Sequence, residues 1–371
     1  MRVLVTGGAG FIGSHLIDAL LAEDDEVVVA DNGVTQRADL WARLRGLDIP
    51  VHRIDVADTE PVRKLVQDLR PEVIVHLAGH IDVRKSVQDP AHDARTNVIG
   101  TVNVVDAADA VGARVIFAST GGAVYGEHSL DLVTEETPAR PESPYGTGKY
   151  CAEQYLALSR RRSGAGHVVL RLSNVYGPRQ DPDTSNGVIA VFCGQVVRKE
   201  QPLVYGDGKQ TRDFIYVGDV IRAMMATLSC ADGGLFNVGT GVPTSVLDVL
   251  AAIGAAAGYP VTPRWGPNGA GDLRHSCLDS SRIASALNWH STVDLLDGVR
   301  GTYEWFAGAV PSPARSPTTS TPGRTPQHLR RCWGVRMSGG SGAQGSGPGR
   351  AGSGWLITPG RPTPRSAADR S

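Results

Sequence analysis

The 371-residue sequence predicts an α/β fold: a doubly wound parallel sheet with a smaller mixed α/β C-terminal lobe. Three observations carry this. Short β-branched runs alternate with longer stretches of helical periodicity as far as about residue 172. The runs are continuously apolar rather than alternating, as expected of parallel strands covered on both faces. A glycine cluster separates the first run from the first helical stretch. Such βαβ alternation places helices on both faces of a sheet and a ligand at the carboxyl ends of its strands.

In chain order, strands are expected at 2–6, 26–31, 51–55, 73–77, 114–118 and 167–172, with helices at 12–22, 60–69, 93–110 and 145–162. After about Asn174 the elements shorten and loops intervene, which reads as a lobe interleaved with late sheet strands. The last amphipathic helix spans 292–307, with Val293, Leu295, Leu296, Val299, Tyr303 and Phe306 at largely helical spacing. Beyond it, 311–371 holds nine Pro and eleven Gly, a composition that cannot bury enough apolar surface to offset chain entropy. The expected organisation is a nucleotide-binding half at 1–173, its sheet completed by later strands, a substrate lobe at 174–310, and a disordered tail.

With 41% hydrophobic and 20% charged residues the chain can bury a sizeable core. The net charge of −1 gives no reason to expect nucleic acid or an anionic membrane as partner. That average hides an asymmetry, because nine Arg and no Lys against one acid give 311–371 a charge of +8. The tail has no interleaved aromatics beyond Trp333 and Trp355, so a solvated linker is favoured over nucleic-acid binding. The five cysteines are scattered, without a CxxC pair, and suggest neither a disulfide framework nor a metal site. No apolar run reaches the roughly 18 residues of a membrane span, and the chain is read as cytoplasmic.

The first strand runs into Thr6-Gly-Gly-Ala-Gly-Phe-Ile-Gly13 and then a helix. A turn with few side chains before a helix N-terminus lets backbone amides meet a pyrophosphate, and the βαβ context makes this a Rossmann-type dinucleotide signal. The second strand ends in Asp31, whose carboxylate suits a ribose diol and repels a 2′-phosphate, favouring NAD. The alternative for Asp31 is a turn or helix cap, and Arg37 nearby keeps NADP open.

Tyr145-Gly-Thr-Gly-Lys149 sets a phenol and an ammonium at i and i+4, on one face of a helix. A tyrosine can take an alcohol proton near neutral pH only if its pKa falls from about 10, and a neighbouring cation favours the phenolate. On its own the pair is a common helix-face spacing; behind a nucleotide turn and a strand ending Ser119-Thr120 it points to chemistry on a hydroxyl.

These residues, with Ser119-Thr-Gly-Gly-Ala-Val-Tyr-Gly126, Asn174-Val-Tyr-Gly-Pro-Arg-Gln180 and Gly206-Asp-Gly-Lys-Gln-Thr-Arg-Asp-Phe-Ile-Tyr216, make the sequence similar to the extended short-chain dehydrogenase/reductases of the NAD-dependent epimerase/dehydratase family. It resembles most the bacterial UDP-glucose 4-epimerases. The resemblance implies that Gly7, Gly10, Phe11, Ile12 and Gly13 cradle the NAD pyrophosphate, and that Asp31 and Asn32 bind the adenosine ribose. It places Asp55 and Val56 at the adenine, and Leu77, Ala78, Gly79 and Asn97 on the nicotinamide side. Tyr145 is then the base on the sugar 4-hydroxyl and Lys149 binds the nicotinamide ribose. Ser86, Asn174, Val188, Tyr205, Arg212 and Phe214 hold a UDP-sugar, and a homodimer forms through two helices around 93–110 and 145–162.

Related dehydratases resemble one another in an Asp-Glu pair after the strand-end Thr, and decarboxylases in a Glu there. This sequence has Gly121-Gly122 instead, which leaves no acid for elimination and favours epimerisation at C4. A dehydratase or 4-ketoreductase is the enzymatic alternative, and a non-catalytic NAD-binding protein the alternative of another class. Two departures matter. Many such epimerases carry a Ser or Thr where Gly121 stands, so Thr120, rather than Ser119, is expected to take that role. An Arg three residues before the Asp of the late Gly-Asp pair is replaced by Gly269, so Arg274 is expected to contact the diphosphate. His76 reads as a packed, hydrogen-bonded residue, Tyr176 as structural, and Tyr125 as either core or substrate contact.

Overall fold

The computed structural model describes residues 1–309 except 35–37, 129–131, 185–186 and 268–272. Arg37, Gly269 and the 311–371 segment therefore lie outside the described residues.

The chain runs β1 (Arg2–Thr6), α1 (Phe11–Ala22), β2 (Glu26–Asp31), α2 (Ala38–Arg45), β3 (Val51–Arg53), α3 (Thr59–Leu69), β4 (Val73–His76), α4 (Val83–Gln88) and α5 (Pro90–Ala94). A one-turn π-helix (Arg95–Ile99) follows, then α6 (Gly100–Val111), β5 (Arg114–Thr120), α7 (Gly121–Val124), α8 (Pro144–Ser163), β6 (Val168–Leu172) and β7 (Asn174–Tyr176). The second half contains α9 (Val188–Val197), β8 (Leu203–Tyr205), β9 (Thr211–Tyr216), α10 (Val217–Thr227), β10 (Gly234–Val238), β11 (Pro243–Ser245), α11 (Val246–Ala257), β12 (Arg264–Gly266), α12 (Ser281–Leu287) and α13 (Leu295–Ala309).

Seven parallel strands form the main sheet in the order β3-β2-β1-β4-β5-β6-β10, so a strand from the second half closes the edge beside β6. Both faces are covered, as the continuous apolar runs require. Val3 and Val5 of β1 pack with Leu16, Ile17 and Leu20 of α1 and Val220 and Met224 of α10. Leu4, pointing the other way, joins Val66 of α3, Val104 and Ala108 of α6, and Leu156 of α8. A separate core gathers Ile189 and Phe192 of α9, Val249 and Ile253 of α11, Val299 and Phe306 of α13, and Phe214. Beside it lie the small sheets β11-β9-β7 and β12-β8.

Two expected helices differ from those observed, each because of specific side-chain hydrogen bonds. The single helix expected at 93–110 is interrupted by the π-helical turn, which buries Asn97 and aims its amide nitrogen at His80 O, 2.9 Å, and Asp93 Oδ1, 3.1 Å. The last helix starts at Leu295 rather than 292, because the amides of Thr292 and Val293 donate to Asp219 Oδ2 at 3.0 and 3.1 Å. Asp294 then caps it by accepting from the amide of Asp297, 2.9 Å.

Candidate active site

At the carboxyl end of the sheet the β1–α1 turn is built for close approach. Gly7 sits at φ +72°, and a Cβ there would lie 2.6 Å from the amide nitrogen of Ala78. A Cβ on Gly13 would overlap the carbonyl of Gly7. Gly10 caps α1 without a side-chain hydrogen bond, so the amides of Phe11, Ile12 and Gly13 at the helix start suit an anion. Asp31 accepts from the amides of Ala9, 2.9 Å, and Gly33, 2.8 Å; burial pushes its carboxyl up and these two bonds pull it down. Asn32 donates to Asp55 Oδ2 at 3.1 Å, and Val56 is buried beside Gly100. The residues present fit a dinucleotide along the β1, β2 and β4 strand ends.

The catalytic candidates meet between β5 and α8. Ser143 caps α8, its Oγ accepting from Gly146 N at 3.1 Å, and Pro144 opens the first turn, so Tyr145 and Lys149 stack one turn apart. Ser86, expected at the substrate, accepts from the amide of Tyr145 at 3.2 Å and donates to Val83 O at 2.7 Å, pinning α4 to the start of α8. Thr120, the last residue of β5, hydrogen-bonds the Tyr145 hydroxyl. Ser119 donates to Glu153 at 2.5 Å in a buried network and is committed elsewhere.

Tyr145 is partly buried with its hydroxyl enclosed, and burial pushes the phenol up to about 12, the Asp93 carboxylate adding to the rise and Thr120 opposing it. Burial thus opposes the lowering by Lys149 that the spacing suggests. Lys149 is buried; its ammonium donates to Ala118 O at 3.0 Å and sits 4.7 Å from the centre of the Phe117 ring. Burial brings it down to about 8, against the pull of Asp93 and Glu153. Gly79 lies against this group, a Cβ there falling 2.8 Å from Asn97 Oδ1 and 3.2 Å from Lys149 Nζ.

The other candidates are spread over the second half. Asn174 Oδ1 would lie 3.3 Å from a Cβ on Gly122, which places it at the catalytic loop. Val188 opens α9, Tyr205 ends β8 under the Arg84 guanidinium, 5.6 Å from the ring centre, and Arg212 follows one residue into β9. Phe214 is buried in the second-half core. Arg274 is engaged in a two-pronged ion pair with Asp207, at 2.8 and 3.0 Å. At Gly121 the room for a side chain is taken by Leu278, whose Cδ1 would lie 2.5 Å from a Cβ there.

Sequence reasoning passed over two groups. Asp93 is buried against α8; its signal is Gly148, whose missing side chain leaves the carboxylate space. The Glu153–Arg171 pair, at 2.6 Å, sits beneath the site and carries no local signature.

A Rossmann-type sheet with a glycine-rich nucleotide turn and a Tyr–Lys helix beside it defines a dinucleotide-dependent protein that works on a hydroxyl or carbonyl carbon. The chain belongs to the NAD-dependent epimerase/dehydratase family, whose model matches residues 3–239. It is 41% identical over 309 residues to a UDP-glucose 4-epimerase of Mycolicibacterium smegmatis, covering 82% of this chain and 98% of that one. Among solved structures it is similar to the UDP-glucose 4-epimerase of Thermotoga maritima with UDP-glucose, at TM-score 0.80 and 38% identity over 83% of this chain and 99% of that one. It is also similar to the Thermus thermophilus enzyme in complex with NAD, at TM-score 0.77 and 39% identity over 84% and 100%.

Proposed function

We propose that this protein is an NAD-dependent nucleotide-sugar 4-epimerase, an isomerase interconverting UDP-glucose and UDP-galactose. The observation that carries the reading is the Thr120–Tyr145 hydrogen bond, one helical turn from buried Lys149, with neither carboxylate nor carboxamide at Gly121 or Gly122. Relatives named for UDP-glucose 4-epimerisation and bound to UDP-glucose or NAD support it.

NAD, when bound, supplies a reversible hydride acceptor with a positively charged ring. Gly7, Gly10 and the first amides of α1 hold its pyrophosphate, Asp31 and Asn32 its adenosine ribose, and Lys149 with Asn97 the nicotinamide side. Tyr145 takes the proton of the sugar 4-hydroxyl while Thr120 fixes that oxygen and the phenol together. Loss of that proton together with the C4 hydride, for which bound NAD would be the acceptor, would leave a 4-keto sugar. Once the sugar presents its other face, return of the hydride to C4 and of the proton from Tyr145 would restore the hydroxyl, with no net redox change and no external cofactor consumed. Arg212, Asn174 and Tyr205 bind the nucleotide diphosphate, and Arg274 joins them by exchanging Asp207 for phosphate oxygens.

The protein acts in the cytoplasm, in galactose metabolism, as a homodimer. Support for the last comes from α6 packing beside α8, which leaves Tyr155 and Leu158 exposed at i and i+3. Organisation into a nucleotide half at 1–173 and a sugar lobe at 174–310 follows the cleft chemistry.

The test is incubation of purified protein with UDP-galactose and no added NAD, followed by NMR of the sugar H1 signals. UDP-glucose is expected to appear, and Tyr145→Phe is expected to lower kcat at least about 100-fold, in line with loss of a general base. Full activity in Tyr145→Phe defeats the mechanism.

A further inference from the structure

Asp93 lies outside the residues that touch substrate or cofactor in the proposed reaction, yet its environment is that of a functional group. It is 1% exposed. Oδ1 accepts from Asn97 Nδ2 at 3.1 Å and faces His80 Nδ1 at 2.9 Å. Oδ2 is buried and accepts no hydrogen bond from any described residue. That oxygen is aimed at α8: a Cβ on Gly148 would stand 3.2 Å from it. Gly148 lies between Tyr145 and Lys149 in sequence, so the carboxylate presses on the segment that carries both. A buried carboxylate with an unbonded oxygen is costly unless a cation balances it, and the ammonium enclosed on the same helix is the charge available.

We propose that Asp93 is the positioning residue for the Tyr145–Lys149 pair, its buried carboxylate holding the positive charge on Lys149 within the site. His80 and Asn97 fix the carboxylate from the opposite side, and the π-helical turn exists to bring Asn97 and Asp93 to bear together. This rests on the epimerase reading and extends it to a residue that touches no substrate. The charged and titratable groups facing Asp93 are His80 from the loop after β4 and Tyr145 and Lys149 on α8; behind them His92 on α5 packs its ring on His80 at 5.5 Å and Glu153 on α8 acts on Lys149. Arg95 turns away to Asp58, 3.2 Å. Asp93 raises both the Lys149 ammonium and the Tyr145 phenol. Removing its charge therefore lowers both.

The chain has only five lysines, so full-length protein labelled with ε-13C-lysine gives five side-chain signals, and the one missing in Lys149→Arg is Lys149. In the parent protein this signal is expected to titrate near pH 8. In Asp93→Asn the midpoint falls by about one unit, the usual effect of losing a close opposite charge. The kcat profile for UDP-galactose moves to lower pH, with KM unchanged. A midpoint that stays in place, or a profile that loses height without moving, overturns the proposal. Should Asp93→Asn not accumulate as folded protein, Gly148→Ala pushes the carboxylate off α8; the same downward shift supports the proposal and an unmoved midpoint overturns it. The lysine titration is read whether or not UDP-galactose is converted, so failure of the epimerase reading is told apart from failure of this one.

Discussion

Burial keeps His76 neutral in the folded protein, and its neighbours suit that form. Thr101 donates to Asn97 O at 2.7 Å, so it can only accept from His76 Nε2, 3.1 Å away. Thr6 takes the amide of Ala78 at 3.3 Å and gives its own proton to Nδ1 at 2.7 Å. Burial brings the imidazole down to about 3. Since the folded value lies below the unfolded 6.5, the unfolded chain binds the proton first as pH falls. The stability from this residue is present above pH 6.5 and is lost towards pH 3, up to about 5 kcal/mol by linkage. Urea midpoints measured at pH 7 and pH 4.5 should fall accordingly, and His76→Asn should flatten the dependence. A second residue-scale prediction concerns Gly121. Introducing the serine of related epimerases collides with Leu278, which is buried with Tyr125 and Val133. Gly121→Ser should cost about 1–3 kcal/mol, and Gly121→Ser/Leu278→Ala should recover much of it in thermal denaturation.

At the scale of elements, α8 is joined to the sheet through charge. Glu153 receives Arg171 of β6 at 2.6–3.2 Å and Ser119 of β5 at 2.5 Å, while Arg171 lies 4.7 Å from the Tyr125 ring centre. Both partners of the ion pair are 4% exposed. Glu153→Gln leaves a buried guanidinium uncompensated and should lower stability by about 3–5 kcal/mol, whereas Glu153→Leu/Arg171→Met should cost less than either single change. Denaturant titration of the three variants checks this. Strands β1, β2, β4, β5 and β6 were legible because a buried parallel strand is largely apolar, and α1, α3 and α8 from their helical periodicity. The sequence also brought Tyr145, Lys149 and Thr120 together, since a four-residue spacing and a strand end are local facts. The π-helical turn and the delayed start of α13 were not legible, because Asn97 and Asp219 impose them across the fold. Leu278 against Gly121 and Asp93 against Gly148 are likewise contacts between distant segments, visible in the chain only as unexplained glycines.

For the molecule as a whole, the exposed apolar pair on α8 predicts its assembly. Light scattering should report the mass of two chains, and Tyr155→Glu/Leu158→Glu should halve it while leaving thermal stability of the monomer close to the parent's. About four-fifths of this chain spans nearly the entire M. smegmatis relative, so a version ending at residue 309 is expected to keep its UDP-galactose turnover within about twofold.

The placement of β10 bears on how the protein is made. Its five residues, Gly234–Val238, register against Val168–Leu172 of β6, yet the 61 residues between the two strands must leave the ribosome before they arrive. Until then β6 is a naked edge of Val168, Val169 and Leu170, the kind of edge that recruits strands from other molecules. Translation that stalls between β6 and β10 therefore releases a sticky fragment, and a chaperone holding that edge, or slow codons placed after Val238, would raise the yield of folded enzyme.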